Sequence, residues 1–387
     1  MDWFRRPFLF DEDHADRVNA RTRRHIRRKS ESAGSQYQEI PGAFVWPGDL
    51  HLETPDRPNY ETALWMADEV NDLIKPDFVQ FAGDNVQHAR DGEWALFKNV
   101  RDRLKVPYHA LVGDHDAHHD PGNHSYQANV GPTYKAFSVG GYRFILLNTN
   151  QFRPLGLSDQ QVIWFRYEVD AALARGERVI VFQHHYPFQV WEDYAGPGIE
   201  EWRNVMQTRP ITAHFAAHTH YGQMANDGRN VYVTTRSIGD PEGGSAGYAV
   251  VHLDGDDIAL TYRTKEDRGP IALITHPRRL ILSTKPAHIV TGPAECHVRS
   301  WSHVPVKSAH ARIDDGSWGE MKTTGDDGWS YLIPGDTLAK GEHSLEVKLT
   351  DENGDEGTDR IIFACDLSGR YNAYPMVDPV VKGTKFC

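Results

Sequence analysis

Between residues 42 and 264 the sequence alternates short apolar runs with patterns of helical period. AFVWPGDLHLE opens as a buried strand. It is followed by Glu61 to Ile74, where Leu64, Ala67, Val70, Leu73 and Ile74 fall on one helical stripe. Lys75-Pro76 ends that helix and DFVQFAGD reads as the next strand. Asp91 to Leu104 is a second helix burying Trp94, Phe97, Val100 and Leu104, and strand YHALVGD follows it. Tyr142 to Asn148 is another buried strand. Ser158 caps a helix that runs to Leu173 and is closed by Gly176, before strand RVIVFQ. Shorter runs TAHFAA, NVYVTT and YAVVHL follow, the last turning through DGDD into IALTYR. Strands separated by helices early and hairpins late require an α/β sheet domain, built in layers.

The flanks read differently. Residues 1–41 form an N-terminal extension whose Arg17 to Lys29 run is basic, the pattern of a solvated helix packed on the body or on a sister subunit. Past residue 285 the helical period vanishes. Short β-rich segments alternate with turns such as GDDG and DENGDEG, which predicts an immunoglobulin-like β-sandwich over 285–366 and a C-terminal tail over 367–387. The α/β domain is expected over 42–270. A net charge of -12 disfavours nucleic acid and anionic membrane as partners, leaving a small molecule, and leaves room for a homo-oligomer. There is neither a run of about 18 apolar residues nor a secretory h-region, and three cysteines are too few for a disulfide framework. A cytoplasmic protein with free Cys296 and Cys365 is expected.

Chemistry concentrates where the apolar runs stop. In order stand Gly48-Asp49-Leu50-His51, Gly83-Asp84-Asn85, Gly113-Asp114-His115-Asp116, His184-His185 and Ala217-His218-Thr219-His220. One Gly-Asp pair is a turn, and one histidine is more often structural. Five such elements, each ending a strand of an open α/β sheet, mark the edge where ligands bind. Carboxylates and imidazoles together suit zinc, manganese, iron or cobalt rather than calcium or magnesium. Two metals about 3.5–4 Å apart clamp a phosphate oxygen, acidify a bridging water and stabilise an in-line transition state.

This ordered set resembles the calcineurin-like metallophosphoesterase superfamily over about residues 42–264, with spacing most similar to its cyclic-nucleotide and glycerophosphodiester phosphodiesterase branch. The resemblance implies a layered α/β/β/α fold, two metal ions (manganese, iron or zinc), and hydrolysis of a small phosphodiester. It implies that Asp49, His51, Asp84 and His220 hold the first metal. Asp84, Asp114, His184 and His218 would hold the second, with Asp84 bridging the pair and a hydroxide between them attacking phosphorus. His115 would be hydrogen-bond donor or general acid, its ring oriented by Asp116. Purple acid phosphatases carry a tyrosine ligand three residues after the second-motif aspartate, and Gln87 stands there instead.

Two positions depart from the pattern: Asp114 replaces an asparagine, and Ala217 a glycine. Two divalent ions, Asp49, Asp84 and one hydroxide leave a single positive charge, which a carboxylate at Asp114 cancels. That penalises a dianionic monoester more than a monoanionic diester. Read as inactivating, the same changes point to a metal-binding sensor or scaffold with weak catalysis. A phosphomonoesterase or a nuclease of the superfamily is the remaining alternative. His88, His118, His119 and His124 read as loop histidines, Tyr186 and Phe188 as ring-stacking or core residues, and Trp301 and Trp318 as sandwich core. Specificity is expected in the loops Gln87 to Asp91, Asp116 to Asn129 and Gln189 to Arg203.

Overall fold

A computed structural model describes residues 42–118, 120, 122–188, 194–239, 244–325 and 328–379. They belong to one unit, Glu39–Cys387. The basic run Arg17 to Lys29, His119 and the first part of the 189–203 loop lie outside the described residues.

Among the described residues, eleven strands and five α-helices precede residue 265: β1 Gly42–Trp46, α1 Pro58–Glu69, β2 Phe78–Phe81, α2 Asp91–Arg103, β3 Tyr108–Ala110, α3 His124–Asn129, β4 Lys135–Val139, β5 Tyr142–Leu147, α4 Asp159–Ala174, β6 Arg178–Gln183, α5 Ile199–Thr208, β7 Ile211–Ala216, β8 Gln223–Asp227, β9 Val231–Thr234, β10 Gly247–Asp254 and β11 Asp257–Thr264. Nine more strands follow: β12 Ile271–His276, β13 Ala294–Trp301, β14 Val306–Ile313, β15 Gly319–Glu320, β16 Lys322–Gly325, β17 Gly328–Ile333, β18 Gly341–Asp351, β19 Glu356–Cys365 and β20 Pro375–Asp378.

One sheet has the order β11-β10-β1-β2-β3 and a second the order β20-β8-β9-β7-β6-β5-β4. Strand alternation places them face to face. Phe44 and Trp46 of β1, Phe78 of β2, Phe144 of β5, Phe182 of β6 and Phe215 of β7 fill the layer between them. The opposite faces are covered by helices. Val45, Val79 and Phe81 pack under Met66 of α1 and Trp94, Phe97 and Val100 of α2. Ile145, Val179 and Val181 pack under Phe165 and Val169 of α4 and Trp202 and Val205 of α5. Burial on both faces explains why these strands read as continuous apolar runs. The result is the layered α/β/β/α arrangement.

The remaining β strands form two four-stranded antiparallel sheets, β12-β13-β17-β16 and β15-β14-β18-β19, around Val298, Ala311, Ile333, Val347 and Phe363. Cys296 and Cys365 are buried there as free thiols. Four expectations change. Residues 124–129, placed in a loop, form α3. Residues 199–203, placed in a loop, begin α5, because Ile199, Trp202, Val205 and Met206 recur at helical spacing on a buried face. Residues 375–378, placed in a tail, pair antiparallel with β8 as the edge strand of the second sheet. Trp318, placed in the sandwich core, is 37% exposed and lies between Arg312 and Lys348.

Candidate metal centre

β1, β2 and β3 run parallel in one sheet, as do β5, β6, β7 and β9 in the other. The ends of β1, β2, β3, β6 and β7 therefore bring their turns to one edge, where backbone hydrogen bonds tie them together. Leu50 N and His51 N both donate to the Asp84 carbonyl, at 3.0 and 2.8 Å. His115 N donates to Asp84 Oδ1 at 2.9 Å. Ala217 N donates to His184 O at 2.8 Å, and His218 N reaches the Asp49 carboxylate at 3.2 Å.

The turns are strained in the way functional sites often are. His51, Asp84, His218 and His220 are four of the eight non-glycine residues with positive φ among the described residues. Two glycines make the crowding feasible. A Cβ on Gly113 would lie 2.0 Å from Asp84 Oδ1, and one on Gly83, at φ 98°, would lie 2.4 Å from His184 Nδ1.

The side chains converge. His184 Nε2 lies 3.2 Å from Asp114 Oδ1, 3.3 Å from Asp84 Oδ2 and 3.7 Å from Asp49 Oδ1. His218 Nδ1 is 3.0 Å from Asp114 Oδ1. On the other side, His51 Nε2 is 2.9 Å from His220 Nε2 and 3.7 Å from Asp84 Oδ2. Ligand-capable atoms thus gather in two groups, Asp84-Asp114-His184-His218 and Asp49-His51-His220. His51, Asp84 and His115 form a third such group, so Asp84 stands between both sides. His184 Nδ1 bonds the Ala82 carbonyl at 2.9 Å, which turns Nε2 toward the carboxylates, as a metal-binding imidazole requires. Neighbouring His185 instead bonds Thr149 Oγ1 through Nδ1 at 2.8 Å.

Three buried or half-buried carboxylates around one imidazole demand positive charge. Burial opposes a proton on His184, but Asp84, Asp114 and Asp49 together raise its pKa well above 6.5. Burial and Asp114 work against ionising Asp84, yet His184 and His51 outweigh them and hold its pKa low. The Asp114 pKa is lowered too, His184 and His218 overcoming burial. For His185, burial and the nearby positive charges of His218, His184 and Arg153 push the pKa well below 6.5. A mixed carboxylate and imidazole donor set, buried and in need of cations, fits transition-metal ions.

His115 Nδ1 bonds the Gln87 carbonyl at 2.9 Å, and its ring meets that of His51 edge-on at 4.5 Å. Burial lowers its pKa, but Asp84, the Gln87 carbonyl and Asp114 reverse this and raise it. Asp116 does not orient that ring. Its carboxylate points back beneath the turns, accepting from Gly113 N at 2.9 Å, Val86 N at 3.1 Å and Asn85 Nδ2 at 2.8 Å. Successive residues of a tight turn aim their side chains apart, so sequence adjacency misleads here. Fully buried, and repelled by Asp84, Asp116 has its pKa pushed up to about 8 despite those three donors.

The loop histidines take minor places. His88 is tied to Glu93 at the start of α2 at 3.1 Å, and His124 pairs with Asp120 at 3.0 Å. His118 sits at the rim, its ring 6.2 Å from that of His115. Tyr186 and Phe188 are core residues. Sequence reasoning missed two features. One is the Gln87 carbonyl, a backbone atom with no sequence signature. The other is the loop after β5, where Thr149 holds His185 and Asn150 Nδ2 bonds Gly113 O at 3.1 Å. The strand-end rule, applied to Tyr142–Leu147, points to that loop.

The chain is 24% identical over 377 residues to mouse transmembrane protein 62, covering 86% of this chain and 56% of that protein. It is 23% identical over 128 residues to a probable glycerophosphodiester phosphodiesterase of Arcobacter nitrofigilis, covering 30% of this chain and 44% of that protein. The chain thus spans about half the length of the curated relatives it matches. Among solved structures, a dimetal phosphatase from Danio rerio superposes with a TM-score of 0.47 and 16% identity, over 58% of this chain and 97% of that one. A purple acid phosphatase from yellow lupin seeds gives 0.47 and 14%, over 60% and 53%. Residues 44–222 match the family described as calcineurin-like phosphoesterase.

Proposed function

We propose that the chain is a two-metal phosphodiesterase acting on a small phosphate diester. The observation that carries this reading is the position of Asp84, whose Oδ2 lies 3.3 Å from His184 Nε2 and 3.7 Å from His51 Nε2. Asp49, His51, Asp84 and His220 would hold one ion, and Asp84, Asp114, His184 and His218 the other. Bound there, such a pair lowers the pKa of water and draws charge from a phosphate.

The protein's own groups do the rest. His115, its Nδ1 held by the Gln87 carbonyl, has Nε2 left to donate to the oxygen that departs. The nearby Asp84 favours the protonated ring that this role needs. Asp116 is a positioning residue that fixes the Gly113 and Val86 amides and the Asn85 side chain. Asp114 supplies the third carboxylate, which disfavours a dianionic monoester and so supports the diester assignment. One relative, the Arcobacter protein, is itself named a probable diesterase. We read the two sheets β12–β19 as an immunoglobulin-like sandwich, and the buried free thiols as the mark of a cytoplasmic protein.

The test is hydrolysis of bis(4-nitrophenyl) phosphate against 4-nitrophenyl phosphate while manganese, iron or zinc is titrated in. Metal-dependent turnover with a higher kcat/KM for the diester is expected. A preference for the monoester would overturn the diester assignment, and no metal-dependent turnover of either would favour a sensor or scaffold.

A further inference from the structure

The ligand groups are not equally enclosed. Side chains of Asp49 and His184 are fully buried, that of Asp84 is 2% exposed and that of His51 8%, whereas Asp114 is 25% exposed. The centre therefore opens beside Asp114. The loop after β5 borders that opening. Thr149 Oγ1 bonds His185 Nδ1 at 2.8 Å, and Asn150 Nδ2 bonds the carbonyl of Gly113, the residue before Asp114, at 3.1 Å.

Asn150 is also the anchor for a cation. Its Oδ1 accepts from Arg153 Nη2 at 3.0 Å, and Arg153 Nη1 donates to the Phe152 carbonyl at 3.0 Å. One amide side chain thus spans the guanidinium and the backbone that carries Asp114. Both partners are neutral, and among the described residues Arg153 has no carboxylate partner, unlike Arg143, Arg166 or Arg203. The side chain is exposed. A guanidinium fixed by two neutral acceptors keeps donors and its full charge for an anion.

We propose that Arg153 reads a second anionic group on the substrate. The substrate class is then a phosphodiester one of whose arms carries a further carboxylate or phosphate. The chemistry is consistent with the charge of the centre. Asp114 reduces its attraction for the scissile phosphate, and a cation beside the opening restores attraction only for esters that bring a second charge. This rests on the phosphodiesterase reading above.

The experiment uses three diesters with the same 4-nitrophenolate leaving group. Their other arms are 4-nitrophenyl, 4-carboxyphenyl and 4-phosphonophenyl. Wild type, Arg153→Gln and Arg153→Lys are compared with metal saturating. In Arg153→Gln the ratio of kcat/KM for a charged to the uncharged diester should fall about tenfold, the scale of one charge-assisted contact, and the fall should lie in KM. Arg153→Lys should recover part of it, since lysine keeps the charge but not the fork. Loss confined to the carboxylate or to the phosphonate ester would identify which anion is read. An unchanged ratio in Arg153→Gln overturns the inference while leaving the phosphodiesterase reading intact. Absence of turnover of all three esters by wild type defeats that reading instead. Calorimetric binding of 4-carboxyphenyl phosphate against phenyl phosphate then decides the role of Arg153. A preference for the carboxylate in wild type that Arg153→Gln abolishes supports the role, and equal binding overturns it.

Discussion

His115 is the residue at which the proposed metal binding and the proposed proton transfer can be separated. With Nδ1 committed to the Gln87 carbonyl, replacing the ring should leave the ligand groups in place. We expect His115→Ala to retain its metals by elemental analysis while turnover falls by about 10²–10⁴. The loss should shrink for good leaving groups, which need little protonation. Metal loss, or equal losses across leaving groups, would count against the donor role. At this scale the gathering of these side chains was legible in the sequence. Asp49, His51, Asp84, Asp114, His184, His218 and His220 all lie in the two ligand groups, because each follows a strand and strand ends share an edge. What could not be read was direction. Asp116 follows His115 in the chain but turns away from it, and the choice of His184 over His185 at the centre depends on the Ala82 carbonyl that holds its ring.

Elements fix how these residues are held. β1, β2, β6 and β7 were legible because apolar side chains fill both faces. α3, β4 and β8 were not, being short, and β4 and β8 part-exposed. β7 also carries a buried histidine unrelated to the centre. His214 is fully buried against Trp202 and Tyr232, with neither ring nitrogen hydrogen-bonded among the described residues. Burial holds its pKa down to about 3, against 6.5 for an ordinary histidine. Between those values the unfolded chain takes up a proton that the folded chain refuses. The contribution to stability is therefore complete above about pH 6.5 and is lost as pH falls toward 3, by at most about 1.4 kcal/mol per pH unit. His214→Leu should flatten the acid side of a urea-derived stability profile by one proton. An unchanged slope would mean that His214 is already protonated in the fold or rehydrated there.

Across the whole molecule the α/β layers and the C-terminal β strands share a core. Ile271 and Leu273 of β12 and Trp301 of β13 belong to the same cluster as Met66, Phe81 and Tyr248. Composition marks the change at residue 285, but it does not show that β12 and β13 straddle it. We expect a single cooperative unfolding transition, with Trp301→Ala lowering stability by about 3–5 kcal/mol. Two separate transitions would show that the shared cluster does not couple the parts. The catalytic claim rests on a property of the whole centre, two ions held around one shared carboxylate. Its most direct measurement is metal content per chain after reconstitution with excess manganese or zinc and removal of free ion, in wild type, Asp49→Asn and Asp84→Asn. We expect about two equivalents in wild type, about one in Asp49→Asn, and less than one in Asp84→Asn, with the same far-UV spectrum in all three. Two equivalents in Asp84→Asn would contradict a shared carboxylate at the heart of this site.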